Sequence, residues 1–227
     1  MTSTKTKTKI EELFDFDNTN KKDFDYVIGT DEAGRGPGAG PVFAAAVCFK
    51  ENSKDLLESL AILNDSKQLS EKKREELFDI IKNNCVYWIQ EGSVQDIEKY
   101  NILNTSLNCM KLSCEQVQNQ LGNAKTLTLV DGNKLIKNYK TDQQTVIKGD
   151  AKSASIAAAS ILAKVARDRF MDDLAKQYPQ YDWQKNKGYL TAKHVDAIKQ
   201  YGATKWHRTK FLRNILEQEK TEQLGLF

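Results

Sequence analysis

Tyr26-Val27-Ile28-Gly29-Thr30-Asp31-Glu32-Ala33-Gly34-Arg35-Gly36-Pro37-Gly38-Ala39-Gly40 is the stretch that decides the fold. Its first six residues have the aromatic and β-branched grammar of a strand, and the glycine-rich turn 34–40 carries the chain into a second apolar run at 42–49. Two such runs joined by a turn predict a β-hairpin. Further along, helical periodicity marks 55–63 and 70–83, the second with Ser70 as N-cap and Leu77, Phe78, Ile80 and Ile81 on one face. A third strand is expected at 85–94, one or two helices at 95–120, a buried strand at 126–130 and a short one at 145–148. A helix over 153–174 follows, packed through Ala157, Ala158, Ala159 and Ala163, and two more are expected at 191–201 and 208–220. Strands and helices interleave without a linker between two cores. The class is therefore α/β, with a mixed five-stranded sheet flanked by helices.

Composition bounds the rest. A chain of 227 residues with 40% hydrophobic and 29% charged residues can bury a core, and with a mean hydropathy of −0.60 its balance is that of a soluble globular chain, which argues against general disorder. The longest uncharged stretch, 36–49, has 14 residues and is broken by glycine and proline, short of the roughly 18 apolar residues that a spanning helix needs. Residues 1–24 are polar and offer no signal-peptide core, so they read as a flexible tail. Cys48, Cys85, Cys109 and Cys114 form no CxxC pair and have no histidine nearby, which argues for reduced packing residues and a cytoplasmic protein. The net charge of +3 hides an uneven distribution. Between Lys185 and Arg213 stand eight basic residues and one acid, Asp196, giving +7 there and −4 elsewhere. One basic segment on an otherwise acidic chain points to a polyanionic partner.

Three of the expected strands end on acids: Asp31 with Glu32, Asp131, and Asp150. Acids at neighbouring strand ends of one sheet repel each other unless cations stand between them. Oxygen donors of this kind suit Mg²⁺ or Mn²⁺, and two such ions can activate water and stabilise a leaving oxygen in phosphodiester cleavage. A single acid at a strand end is as often only a turn residue; the trio strengthens the catalytic reading. The glycine loop fits neither a dinucleotide fingerprint, which opens a helix, nor a P-loop, which needs GK[ST]. What remains is a turn that can approach a ligand closely, with Arg35 at its centre free to donate to phosphate or sugar oxygens.

The residues Gly29-Thr30-Asp31-Glu32-Ala33-Gly34-Arg35-Gly36-Pro37 resemble the signature of type 2 ribonucleases H, the ribonuclease HII family, in its bacterial form. Six residues such as DEAGRG would arise by chance on the order of 10⁻⁵ times in a chain this long. Further matches are Asp65 to Leu69, Val130-Asp131-Gly132-Asn133, Lys148-Gly149-Asp150, Ala158 to Val165 with Arg167-Asp168, Lys187-Gly188-Tyr189 and His207-Arg208, so the resemblance covers about 26–213. It implies a ribonuclease H-like catalytic domain over 25–176 and a basic helical extension over 177–220. It also implies that Asp31, Glu32, Asp131 and Asp150 are the catalytic, metal-binding acids for two Mg²⁺ or Mn²⁺ ions. Gly34, Arg35 and Gly36 match the loop that senses the ribose 2′-hydroxyl, and Tyr189 the aromatic that packs on the following deoxyribose. Lys67 and Lys164 match positions facing the nucleic-acid backbone. The activity implied is endonucleolytic hydrolysis of RNA in RNA–DNA hybrids, with nicking on the 5′ side of ribonucleotides embedded in duplex DNA. A 2′-hydroxyl is the group that distinguishes such a ribonucleotide.

Asp168, four residues from Lys164 inside the 153–174 helix, reads as a helix-face acid. The chain departs from the resemblance at His207-Arg208-Thr209-Lys210-Phe211, where a serine is usual in place of Lys210, and in the stretch before it, which lacks the usual proline. A polar tail of this length cannot be the extra N-terminal domain of the related type 3 enzymes. The segment 221–227 ends Gln223-Leu224-Gly225-Leu226-Phe227, which resembles the motif by which bacterial repair enzymes bind the sliding clamp, through Gln223, Leu224, Leu226 and Phe227. The expected assembly is a monomer. A non-catalytic nucleic-acid-binding module and a nucleotide-binding enzyme are the competing classes, disfavoured by the three acid-ended strands and the missing GK[ST].

Overall fold

The computed structural model describes residues 7–63, 66 and 69–213. Five strands, β1 (Tyr26–Ala33), β2 (Val42–Cys48), β3 (Val86–Gly92), β4 (Thr126–Asp131) and β5 (Asp142–Val146), form one sheet in the order β3-β2-β1-β4-β5. The hairpin is present: β1 and β2 pair antiparallel with Asp31 opposite Ala45, and β3 continues antiparallel beyond β2. On its other side β1 pairs parallel with β4, Thr30 opposite Val130, and β4 pairs parallel with β5. Parallel pairing carries a direct consequence for the acids. Because β1 and β4 run the same way in register, Asp31 and Asp131, each one residue beyond the Thr30–Val130 pair, leave the same edge of the sheet.

Every residue of β2 is buried, as expected of a strand covered on both faces. One cover is α5 (Ile102–Leu121), which follows α4 (Val94–Tyr100). The region read as one or two helices is two, because Asn101 adopts a left-handed conformation (φ 67°) and its side chain accepts from Asn104 N at 3.0 Å to start the second. The other cover is α6 (Ala154–Gln177), capped by Ser153 at Ile156 N (3.2 Å) and lined with alanines on its buried face. It lies so close to β1 that a Cβ on Gly29 would stand 2.3 Å from Ile156 N. Only glycine permits this approach, and α6 thereby reaches the strand that carries Asp31.

Residues 1–24, expected to be a flexible tail, are corrected in part. Helix α1 (Lys9–Lys21) buries Ile10, Leu13 and Phe14 in the same cluster as Ala157, Ala158 and Ile161 of α6. Glu11 closes its first turn by accepting from the Thr8 backbone N–H at 2.6 Å. Asp17 accepts from Ser155 N (2.8 Å) and Ser155 Oγ (2.7 Å), fixing α1 to the start of α6. Two other boundaries differ from expectation. β5 begins at Asp142 rather than at residue 145, because as an edge strand it is polar and only Val146 is buried. The first expected helix is shorter, α2 (Lys54–Ser59), and α3 (Glu71–Asn84) starts from Ser70 as read.

The C-terminal part wraps rather than projects. α7 (Trp183–Asn186), α8 (Ala192–Tyr201) and the turn helix at 209–213 bury Tyr181, Trp183, Ile198 and Leu212 against Met171 and Leu174 of α6 and against Ala39 of the glycine loop. The remainder of the helix expected over 208–220 lies outside the described residues, as does 221–227.

Candidate active site

A cleft of about 330 Å³ opens at the β1–β4 edge, lined by Asp31, Glu32 and Asp131 together with Gly34, Arg35 and Gly36. Asp31 is 6% exposed, and Glu32 N donates to its Oδ1 at 2.7 Å. Burial first, and then the charges of Glu32 and Asp131, push the Asp31 carboxyl well above the usual carboxylate range; the Ser160 hydroxyl and the Glu32 N–H oppose this. Asp131 accepts from Gly149 N at 2.7 Å, so Asp150 stands one residue from that contact, in the short turn Gly149–Ala151. The structure thus brings Asp31, Glu32 and Asp131 into one cleft and places Asp150 at its margin. Among the described residues, no three Asp, Glu, His or Cys groups converge on one metal position. The donor set nevertheless fits a hard divalent cation: oxygen ligands only, partly buried, and repelling one another for want of positive charge. Mg²⁺ needs only one or two carboxylates per ion, with waters completing its shell.

The remaining expected residues frame the same cleft, with one correction. Arg35 is not free, since its Nη1 pairs with Glu32 Oε1 at 3.2 Å. Tyr189 is 51% exposed and stands over the loop; a Cβ on Gly36 would come within 3.3 Å of its Cε1. Lys164 lines the cleft from α6, and its Nζ donates to Asp168 Oδ1 at 2.6 Å. Asp168 is therefore no surface acid. It is 5% exposed and lies between Lys164 and Arg74 (3.8 Å), whose Nη1 also donates to Ser66 O at 3.1 Å. Lys67, next to Ser66, lies outside the described residues.

The basic segment divides into two populations. Lys185, Lys193, Lys199, Lys205 and Lys210 are exposed, whereas Lys187 bonds to Asp172 and Arg208 is entirely buried. Arg208 and Arg167, 0% and 1% exposed, converge on the inner side of the glycine loop. Gly34, at φ +102°, is required there, because a Cβ would stand 2.2 Å from Arg167 Nε. Beside them, His207 Nδ1 accepts from Thr204 N (2.9 Å), so its Nε2–H donates to His194 Nε2 (3.1 Å), which also receives Trp183 Nε1–H (2.9 Å). His194 is left to donate from Nδ1 to Tyr189 O at 2.9 Å. Burial, with the neighbouring ring, pushes His207 down to about 4, and burial lowers His194 as well, so the pair is neutral. Neither histidine lines the acid cleft.

Residues 28–214 match the protein family described as Ribonuclease HII. The chain belongs to that family. Ribonuclease HII of Fusobacterium nucleatum is 51% identical over 195 residues, which are 86% of this chain and 89% of that protein. In solved structures the fold is similar to ribonuclease HII of Archaeoglobus fulgidus in its complex with PCNA (TM-score 0.65, 24% identity, 81% of this chain and 93% of that one). It is also similar to Bst ribonuclease HIII in complex with Mn²⁺ (TM-score 0.71, 15% identity, 94% and 73%). As a ribonuclease HII, the chain is a metal-dependent endoribonuclease acting on the RNA of RNA–DNA hybrids. The mixed sheet of the ribonuclease H-like fold supplies its acid cleft. No helix among the described residues is long and apolar enough to cross a membrane.

Proposed function

We propose that this chain cuts within duplexes on the 5′ side of a ribonucleotide, including a single one embedded in DNA, leaving a 3′-hydroxyl and a 5′-phosphate. The observation that supports it most is the junction of two features in one cleft: paired strand-end acids beside a glycine loop crossed by Tyr189. Asp31, Glu32, Asp131 and Asp150 would hold two divalent cations, Mg²⁺ or Mn²⁺, whose chemistry when bound is to activate water and to neutralise the leaving oxygen. Gly34, Arg35 and Gly36 offer a surface low enough for a ribose to approach, and the exposed ring of Tyr189 closes the space a second sugar would fill. Lys164, oriented by Asp168, faces the backbone phosphates, and Lys67 is assigned the same role from its sequence position. The exposed lysines of the C-terminal part extend that contact along the duplex.

The reading is tested with an end-labelled DNA duplex containing one ribonucleotide. Incubation with Mg²⁺ is expected to give one nick 5′ of that residue, lost with EDTA and in Asp31→Asn. Metal-independent cutting, or no cutting, would sink it.

The terminal Gln223, Leu224, Leu226 and Phe227 lie outside the described residues; we assign them to sliding-clamp binding on their sequence alone. Clamp titration with the full chain and with one ending at Thr221 checks this, and equal affinities would refute it. The protein is assigned as a monomer, which sedimentation can test. Four free cysteines, three of them buried, accord with a reducing cytoplasm.

A further inference from the structure

The inner side of the glycine loop is built as carefully as its outer side. Arg208 Nε donates to Gly40 O (2.9 Å), Nη1 to Pro37 O (2.8 Å) and Arg35 O (3.3 Å), and Nη2 to Gly34 O (2.7 Å) and Pro41 O (3.2 Å). Its backbone N–H takes Gly38 O at 2.8 Å. Arg167 adds Nε to Pro41 O (3.1 Å) and Nη2 to Ala39 O (3.2 Å). Of the eight carbonyls in residues 34–41, all but that of Gly36 are held this way. Burial presses both guanidiniums down, with the charge of Arg167 adding to the effect on Arg208, which falls to about 9, and Arg167 to about 10, so both stay charged at neutral pH.

In a trans peptide the C=O and the following N–H point in opposite directions. Drawing the Gly34 and Arg35 carbonyls inward therefore turns the N–H groups of Arg35 and Gly36 outward, towards the side that lines the cleft. Among the described residues these two N–H groups meet no acceptor. The same clamp sets the position of Tyr189, because Gly38 N and Ala39 N donate to Gly188 O at 2.9 and 3.2 Å. A lysine cannot substitute, since its ammonium is a point charge with three donors, not a planar fork with five.

We propose that Arg208, seconded by Arg167, is the positioning residue that sets the preference for ribose over deoxyribose. It touches no substrate; it acts by fixing which way the loop's peptides face. The inference rests on the reading of the loop as the 2′-hydroxyl sensor.

The test measures binding, by fluorescence anisotropy in EDTA, of two duplexes that differ only in one ribonucleotide or deoxyribonucleotide at the same position. Wild type, Arg208→Lys and Arg167→Lys are compared, each after thermal melting has shown it folded at the assay temperature. In the variants the deoxy-to-ribo ratio of dissociation constants is expected to fall on the order of tenfold, the worth of one or two hydrogen bonds, with all-DNA affinity held within about twofold. A merely structural role would weaken both duplexes alike and leave the ratio standing, and that result overturns the inference. If Arg208→Lys does not fold, Arg167→Lys decides by the same ratio. A wild type that shows no ratio refutes instead the loop reading on which the inference rests.

Discussion

The loop at 33–41 separates two clusters of like charge that the fold treats in opposite ways. On its inner side two guanidiniums are almost fully buried, make no ion pair among the described residues, and are solvated by six backbone carbonyls. At the cleft, Asp31 is also buried, yet among the described residues it has the Glu32 N–H and the Ser160 hydroxyl to set against two neighbouring carboxylates. Desolvating either sign of charge is costly, so the difference is informative. Where the chain supplies all the partners, the charge is structural. Where it leaves repulsion standing, the missing counter-charge is expected from solution, and there the proposed chemistry would take place.

That contrast can be broken most sharply at the acids. Asp31→Asn is expected to lower the initial rate of metal-dependent hydrolysis of an RNA–DNA hybrid by a factor on the order of 10³ or more, while circular dichroism shows a melting temperature no lower than wild type, since a repulsion has been removed. At the guanidinium end the outcome reverses. Arg208→Met should cost roughly 3–5 kcal/mol in urea unfolding, because four buried or half-buried carbonyls lose their donors while Pro41 O keeps only Arg167. The next effect depends on pH. The fold holds His207 neutral, with its pKa pushed down to about 4 from an ordinary 6.5. Its contribution is therefore complete above pH 6.5 and is lost as pH falls towards 4. The unfolding free energy of wild type relative to His207→Gln should shrink by roughly 3 kcal/mol over that window. Asp17, raised to about 6 chiefly by burial, works in the opposite sense there, which is why the difference between the two proteins is the quantity to measure.

Two smaller effects sharpen the same contrast. Mg²⁺ or Mn²⁺ at about ten times its dissociation constant should stabilise wild type by about 1.4 kcal/mol, a rise of roughly 3–6 °C in melting temperature. The rise should be absent in Asp31→Asn. Finally, Lys205→Ala should reduce the slope of log affinity against log salt by about one, with cutting of bound substrate unchanged. A slope equal to that of wild type would remove Lys205 from the duplex contact.

The acid cleft was legible in the sequence because its information is local: strand grammar followed at once by Asp31 and Glu32, and by Asp131 on the parallel neighbour. Helix starts expected at 70, 153 and 191 fall within a residue of the observed ones, where Ser70, read as a cap, and Ser153 and Thr191 each cap their helix. What escaped depends on burial. Charge counting placed Arg208 and Lys187 with the surface lysines, although one closes the loop and the other bonds to Asp172. Asp168 was visible as an i,i+4 partner of Lys164, but nothing local announced that Arg74 would complete the pair from another helix. Helix α1 was hidden by its polar composition, even though Thr8 and Glu11 form a capping pair and Ile10, Leu13 and Phe14 fall on one face.

Arg208 stands 174 residues after the Gly34 carbonyl it holds. Ribosomes add roughly 5–20 residues per second, so the loop would wait about 10–35 s for its clamp after it has been synthesised. The hairpin bearing Asp31 can form early in that interval, but its glycine turn is completed only when Arg208 has left the ribosome. A nascent nuclease would carry its acids before the clamp proposed above to orient the loop, and synthesis of Arg208 becomes a late step in building the site.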